Sequence, residues 1–232
     1  MFDKSDIKRF ILDLFFPNRC PLCGKVINWN IDTCGKCLDE LPYTGDELCK
    51  GCGNNINSCE CNDSDFYFLR CYAAFYYKKS GKGGIVYLKN TKNELFPRLF
   101  AKKVASDIYG DCFEFNADCI VPVPMTKAKR IKRGYNQAEI LADALASELG
   151  IPIVTDAIYK KVSFVAQHNL SASERRKNAF NIFYEGNADS VKGKRVIIVD
   201  DVITTGSTVN SCAKILISMG AKAVAVAAAA TV

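Results

Sequence analysis

The apolar positions of this chain change character near residue 66. Before it, a short amphipathic stripe through Lys8-Arg9-Phe10-Ile11-Leu12 predicts one N-terminal helix, and no sustained helical or alternating period follows. After it, the run Phe66-Tyr67-Phe68-Leu69-Arg70-Cys71-Tyr72-Ala73-Ala74-Phe75-Tyr76-Tyr77 is aromatic and reads as a strand, with Gly81, Gly83 and Gly84 marking a turn. Glu94 to Asp107 has helical spacing, and Ile120-Val121-Pro122-Val123 is a short buried strand closed by prolines. Asn136-Gln137-Ala138-Glu139 forms a capping box ahead of Ile140, Leu141, Ala144 and Leu145, which predicts a helix there. Val196 to Val199 is a continuous apolar strand, Ser207 to Met219 a helix, and Ala223 to Ala229 a further buried strand. Strands that alternate with helices imply a parallel sheet, hence an α/β domain over residues 66–232 behind a small module over residues 1–65. Ligands of such sheets sit beyond the carboxyl ends of the strands, so the loops after Val123 and Val199 are where chemistry is expected.

Composition narrows this only slightly. A hydrophobic share of 49% beside 24% charged residues excludes long disorder. No stretch of about 18 apolar residues occurs, so no membrane-spanning helix is expected. The opening apolar run is short, is broken by Asp13 and lacks a small-residue cleavage site, so no signal peptide is expected and the default location is the cytoplasm. The net charge of +6 favours an anionic partner, a phosphate ester or a nucleic acid.

Eight of the twelve cysteines lie between Cys20 and Cys61 in four close pairs: Cys20 with Cys23, Cys34 with Cys37, Cys49 with Cys52, and Cys59 with Cys61. Two intervening residues let both thiolates of a pair reach one tetrahedral ion, which points to two structural zinc ions, each held by four thiolates. Sequential and interleaved pairings both satisfy the spacing, and Cys59-Glu60-Cys61 is tighter than the usual knuckle. Cys71, Cys112, Cys119 and Cys212 stand in apolar or helical contexts and are expected in the core.

The most informative segment runs from Val196 to Thr208: an apolar strand, the acids Asp200 and Asp201, then Thr204-Thr205-Gly206-Ser207-Thr208 opening a helix. Turn amides, hydroxyls and a helix N-terminus make an anion site for a phosphate monoester, and Gly206 lets the backbone approach it closely. Adjacent carboxylates at a strand end can accept hydrogen bonds from ribose hydroxyls or hold magnesium. Together these parts fit a ribose 5-phosphate.

This hydrophobic run, Asp-Asp and Thr-Thr-Gly-x-Thr resemble the fingerprint of type I phosphoribosyltransferases. The resemblance implies that Asp200 and Asp201 face the ribose and that Thr204, Thr205, Gly206, Ser207 and Thr208 wrap the 5-phosphate of phosphoribosyl pyrophosphate. It also implies pyrophosphate contacts from the loop after Pro124, which carries five basic residues among the seven from Lys127 to Arg133; Thr126, Lys127, Arg130 and Arg133 are the candidates. The stretch Lys160 to Asn178, with Ser163, Gln167, His168 and Ser171 to Lys177, corresponds to a segment that closes over the site in related transferases; His168, alone in a polar loop, is read as a surface residue.

A longer match takes in the cysteine pairs, Val121-Pro122-Val123-Pro124, Arg133-Gly134-Tyr135-Asn136-Gln137-Ala138, Ser173-Glu174-Arg175-Arg176-Lys177-Asn178 and the acidic loop, and resembles the ComF family of competence proteins. That family implies a double zinc ribbon before a phosphoribosyltransferase fold, and a part in handling single-stranded DNA during natural transformation alongside other competence proteins. Two other functions stay open at this point. A nucleobase salvage transferase would need a base pocket, for which the sequence holds no signature. A nucleic-acid-binding module without catalysis would use the phosphate loop for a DNA end.

Overall fold

The computed structural model describes residues 17–28, 31, 33–45, 48–49, 52–53, 55–59, 61, 66–92, 94–111, 115–161 and 182–232. A single helical turn, α1 (Gly35–Asp39), lies within the cysteine-rich part. Strand β1 (Cys71–Tyr76) is followed by α2 (Lys79–Asn90), α3 (Leu95–Gly110), β2 (Cys119–Pro122), α4 (Lys127–Arg133), α5 (Gln137–Leu149), the short pair β3 (Ile158–Lys160) and β4 (Phe183–Glu185), β5 (Arg195–Ile203), α6 (Ser207–Ser218) and β6 (Ala223–Thr231). β1, β6, β5 and β2 form one sheet in that order with every neighbour parallel, while β3 and β4 pair antiparallel beside it. The expected α/β architecture is present: a parallel sheet flanked by helices, with a cysteine-rich module before it.

Two apolar layers sandwich the sheet. On one side, Ile197 and Val199 of β5 pack with Ile85 and Leu88 of α2, Phe96, Phe100 and Val104 of α3, and Leu141 and Leu145 of α5. On the other, Val196 and Ile198 pack with Val209, Cys212 and Leu216 of α6 and with Ile158 and Phe183 of the small pair. This is the period-2 alternation of a strand covered on both faces. β6 lies between β1 and β5, is written almost wholly in alanine and valine, and is buried from Val224 to Thr231.

The cysteine-rich module is not a separate bead. Cys20, Leu22, Cys37 and Leu41 belong to the same buried cluster as Tyr72 and Phe75 of β1, and Thr44 donates to the Ala73 carbonyl. Tyr43 forms a bridge with Phe75, and the Thr231 hydroxyl donates to the Gly53 carbonyl at 2.7 Å.

The glycine-rich stretch departs from expectation: Gly81, Gly83 and Gly84 lie inside α2 and mark no turn. They are there for close packing. A Cβ at Gly84 would lie 2.2 Å from the Phe96 ring, and one at Gly81 would lie 2.5 Å from the Tyr76 carbonyl oxygen. Bare backbone lets α2 lie flat on its neighbours, which offsets the poor helix propensity of glycine. Gly84→Ala is therefore expected to destabilise the fold by about 1–3 kcal/mol through overpacking although alanine is the better helix former; chemical denaturation would show it, and an unchanged or raised midpoint would refute the packing argument.

Candidate functional site

β5 runs four residues past Val199, keeping its register with β6 through Ile203 opposite Thr231. β2 stops earlier: Pro122 is its last residue opposite β5, at Val199. Asp200 and Asp201 thus emerge where the neighbouring strand has turned away, in the crevice at the carboxyl ends of the strands. The chain after Asp201 enters the Thr204-Thr205 turn, and Gly206 takes a left-handed φ of 69° as the N-cap of α6. Thr204 and Thr205 are exposed, Ser207 and Thr208 half-buried. The Thr205 hydroxyl donates to the Ser207 hydroxyl at 3.0 Å, which gathers hydroxyls at the first turn of a twelve-residue helix. A helix start of this kind favours an anion through its open amides and its dipole.

The two carboxylates leave the strand toward different layers. Asp201 accepts from Lys89 Nζ of α2 at 2.9 Å and from Gln137 Nε2 of α5 at 3.0 Å, both on Oδ2, while its Oδ1 accepts the Val202 amide at 2.8 Å. Asp200 is turned toward β3 and α6, where Lys160 and Cys212 are its electrostatic neighbours. Burial, and then the charge of Asp201, push the Asp200 carboxyl up to about 8. Burial also lowers the Lys160 ammonium, against the pull of Asp200. This is the signature of a carboxylate pair short of positive charge, and a donor set of hard oxygens in that state suits a magnesium ion.

The raised Asp200 has a consequence for the protein without added magnesium. Between about pH 4 and about pH 8 the native state keeps a proton that the unfolded chain has lost, so stability falls as pH rises across that window. Asp200→Asn should remove this part of the slope, leaving the variant more stable than the natural protein at pH 8 by a margin that shrinks toward pH 4. Denaturant titrations at several pH values would read it; parallel curves for the two proteins would refute it.

The basic loop is partly spoken for. Thr126 is the N-cap of α4, its hydroxyl accepting the Lys129 amide. Lys127 is exposed. Arg130 pairs with Glu139 and lines a mixed-charge groove of about 980 Å³ between α3 and α5, together with Arg98, Lys102 and Asp143. Arg133 donates to Gln137 Oε1, and Gln137 in turn donates to Asp201, so of the four candidates Arg133 is the one tied to the acid pair. The segment holding Ser163, Gln167, His168 and Ser171 to Lys177 lies outside the described residues. Lys89, Gln137 and Lys160 were not picked out by the sequence. Gln137 sits within a quoted motif, but Lys89 stands in the last turn of a helix and Lys160, followed at once by Lys161, ends a strand, and nothing local distinguishes either from surface charge.

The cysteines fall into two sequential groups, Cys20, Cys23, Cys34 and Cys37, and Cys49, Cys52, Cys59 and Cys61, with the ligand atoms of each within 4.8 Å of one another. This settles the pairing against interleaving. A tetrahedral site with Zn–S bonds of about 2.3 Å places its sulfurs about 3.8 Å apart. Cys23 and Cys34 stand at 3.7 Å, and Cys49 with Cys61 and Cys52 with Cys59 at 3.4 Å. Cys59 and Cys61, one residue apart, stand closer at 2.9 Å. Burial and the neighbouring thiols push Cys37 and Cys61 far above the ordinary thiol range, a repulsion that a dication removes. Among the described residues no helix is long and apolar enough to cross a membrane.

Residues 100–232 match the model of the phosphoribosyl transferase domain, and residues 11–72 that of the double zinc ribbon domain. Competence protein F of Haemophilus influenzae is 38% identical over 112 residues, 47% of this chain and 48% of that protein. DNA utilization protein YhgH of Escherichia coli K12 is 38% identical over 109 residues, 47% of each chain. The chain thus spans about half the length of these two relatives. Competence protein ComFC of Streptococcus pneumoniae is 24% identical over 222 residues, 88% of this chain and 96% of that protein. Among solved structures, a purine phosphoribosyltransferase from Pyrococcus horikoshii is similar over 60% of this chain and 75% of its own, at 22% identity and a TM-score of 0.40.

Proposed function

Since the chain belongs to the phosphoribosyl transferase domain family, in the ComF group marked by a double zinc ribbon, we propose that it binds phosphoribosyl pyrophosphate with magnesium and acts on or with single-stranded DNA in natural transformation. The observation that carries the reading is the acid pair at the end of β5 leading straight into the hydroxyl-lined, Gly206-capped start of α6. One end of that arrangement suits ribose hydroxyls and the other suits a 5-phosphate, at the place in a parallel sheet where ligands collect.

In this reading Asp200 and Asp201 lie along the ribose, and Thr204, Thr205, Ser207 and Thr208 donate to the phosphate. Asp200, with Asp201 beside it, would hold magnesium, which would neutralise the charge that builds on the leaving group. Arg133 and Lys127 add positive charge from α4. The relatives' names support the DNA part: one is called a competence protein and another a DNA utilization protein. So does α4, whose Lys127, Lys129, Arg130 and Lys132 are exposed on a helix with no buried residue. The cysteine-rich part over residues 1–65 is proposed as one structural unit, the remainder as the ligand-binding unit, and the cytoplasm as the site of action.

Titration calorimetry with phosphoribosyl pyrophosphate and magnesium tests the first half, and a protein that takes up no heat of binding fails it. For the second half, fluorescence anisotropy should show weak binding of single-stranded DNA with little sequence preference, and a log-log salt slope of roughly −3 for about four phosphate contacts. Absence of binding at low salt and tens of micromolar protein would refute the DNA role. Competition by excess phosphoribosyl pyrophosphate would place both ligands on overlapping surfaces.

A further inference from the structure

We propose that Lys89 is a further anion-binding residue of this site, oriented by Asp201 and held in place through α2 by the first four-cysteine cluster. The inference rests on the reading of the site as one for phosphoribosyl pyrophosphate.

Asp201 is already engaged. Its Oδ2 accepts from Lys89 and Gln137, and its Oδ1 accepts the Val202 amide. A carboxylate used in this way is a holder of donors more than an open acceptor. What it holds is an ammonium with three protons, one spent on Asp201, on a side chain that is 33% exposed. Among the described residues Lys89 pairs with Asp201, which leaves two protons to meet an anionic ligand. Two of the expected pyrophosphate cations are already engaged, Arg130 on Glu139 and Arg133 on Gln137.

The reach of Lys89 depends on where α2 lies, and the cysteine module sets that. Leu22, between the ligands Cys20 and Cys23, presses its carbonyl so closely on α2 that a Cβ at Gly83 would lie 1.8 Å from it. The Ser80 hydroxyl donates to the Glu40 carbonyl at 3.2 Å, just past Cys37. Cys20, Leu22 and Cys37 share a buried cluster with Ile85 and Leu88 of α2. At the other end the Tyr135 hydroxyl donates to the Leu88 carbonyl at 2.8 Å. From Gly83 to Lys89 the helix rises about 9 Å, a rigid arm between the thiolate cluster and the acid pair.

The test is titration calorimetry with phosphoribosyl pyrophosphate and magnesium on the full chain, each protein checked for zinc by elemental analysis and for folding by circular dichroism. Lys89→Met should weaken binding by at least about tenfold (~1.4 kcal/mol), and Lys89→Arg, which keeps the charge, should recover most of it. Gly83→Ala should weaken binding with zinc retained, and should add nothing in the Lys89→Met background, because both act through one arm. If Gly83→Ala does not fold, Cys23→Ser at the exposed corner of the cluster replaces it. A natural protein that binds beside a Lys89→Met protein that binds equally well overturns this inference alone. Additive losses from Gly83→Ala and Lys89→Met overturn the zinc-linked arm. A natural protein that does not bind overturns the reading of the site and this inference with it.

Discussion

Elemental analysis of the purified chain should find two zinc ions, and replacing Cys20 by serine should lower the melting temperature by at least about 8 °C. The size of the effect follows from where the ligands sit. Structural zinc contributes apparent binding energies of about 10–16 kcal/mol in small zinc peptides, where binding and folding are one event. Here Cys20 is fully buried and Cys37 nearly so, in the cluster that also holds Tyr72 and Phe75 of β1. Loss of the ion therefore leaves unpaired thiols inside the core of the sheet domain as well as loosening a ribbon. Even if only about 4 kcal/mol of that energy reaches the whole domain, a chain of this size shifts by roughly 2–4 °C per kcal/mol. Zinc below one per chain in protein prepared without chelator, or a Cys20→Ser protein that melts where the natural one does, would refute the assignment.

The second large effect concerns ligand binding. Replacing Asp200 and Asp201 together by alanine should lower affinity for phosphoribosyl pyrophosphate by at least about 100-fold. Hydrogen bonds to charged groups contribute about 1.5–3 kcal/mol each, so two carboxylates account for two decades or more. The single variants should not be equivalent. Asp201 anchors Lys89 and Gln137, so Asp201→Ala releases an ammonium and an amide into the site. Asp200→Ala removes a carboxyl that is pushed up to about 8 in the absence of a cation, together with the hydrogen bond it accepts from the Asp201 amide. Stability should therefore fall with Asp201→Ala and be held or raised with Asp200→Ala at pH 8. Unchanged affinity in the folded double variant would show that the acids do not meet the ligand.

The sequence made the path from Val196 to Thr208 readable because every part of it is local: the strand, acids, turn and helix start follow one another with no gap for tertiary structure to rearrange. The zinc ligands were readable for the same reason, since each knuckle is set by spacing alone. Lys89 was not. It is brought to Asp201 from over a hundred residues away by the packing of α2, and a lysine ending an amphipathic helix reads as surface charge. The glycines of α2 misled for a related reason. Gly81, Gly83 and Gly84 serve contacts with Tyr76, Leu22 and Phe96, and contact partners outside the window turn a turn signal into a helix that lies close to its neighbours. The capping box was half right: Asn136 caps α5 by accepting the Ala138 amide, while Glu139, expected to reach back, is drawn to Arg130.

β6 bears on how this chain can change over generations. Like β5 it is enclosed on both edges and both faces among the described residues, yet its side chains are nearly the smallest available. Truncation has little left to remove there, and added methylenes have nowhere to go in an interior packed at crystal-like density. Drift along β6 is thus limited by volume rather than by polarity, so the chemically plainest segment of the protein is among the least free to vary, and a valine gained there must be matched by a loss of bulk on α3 or α6.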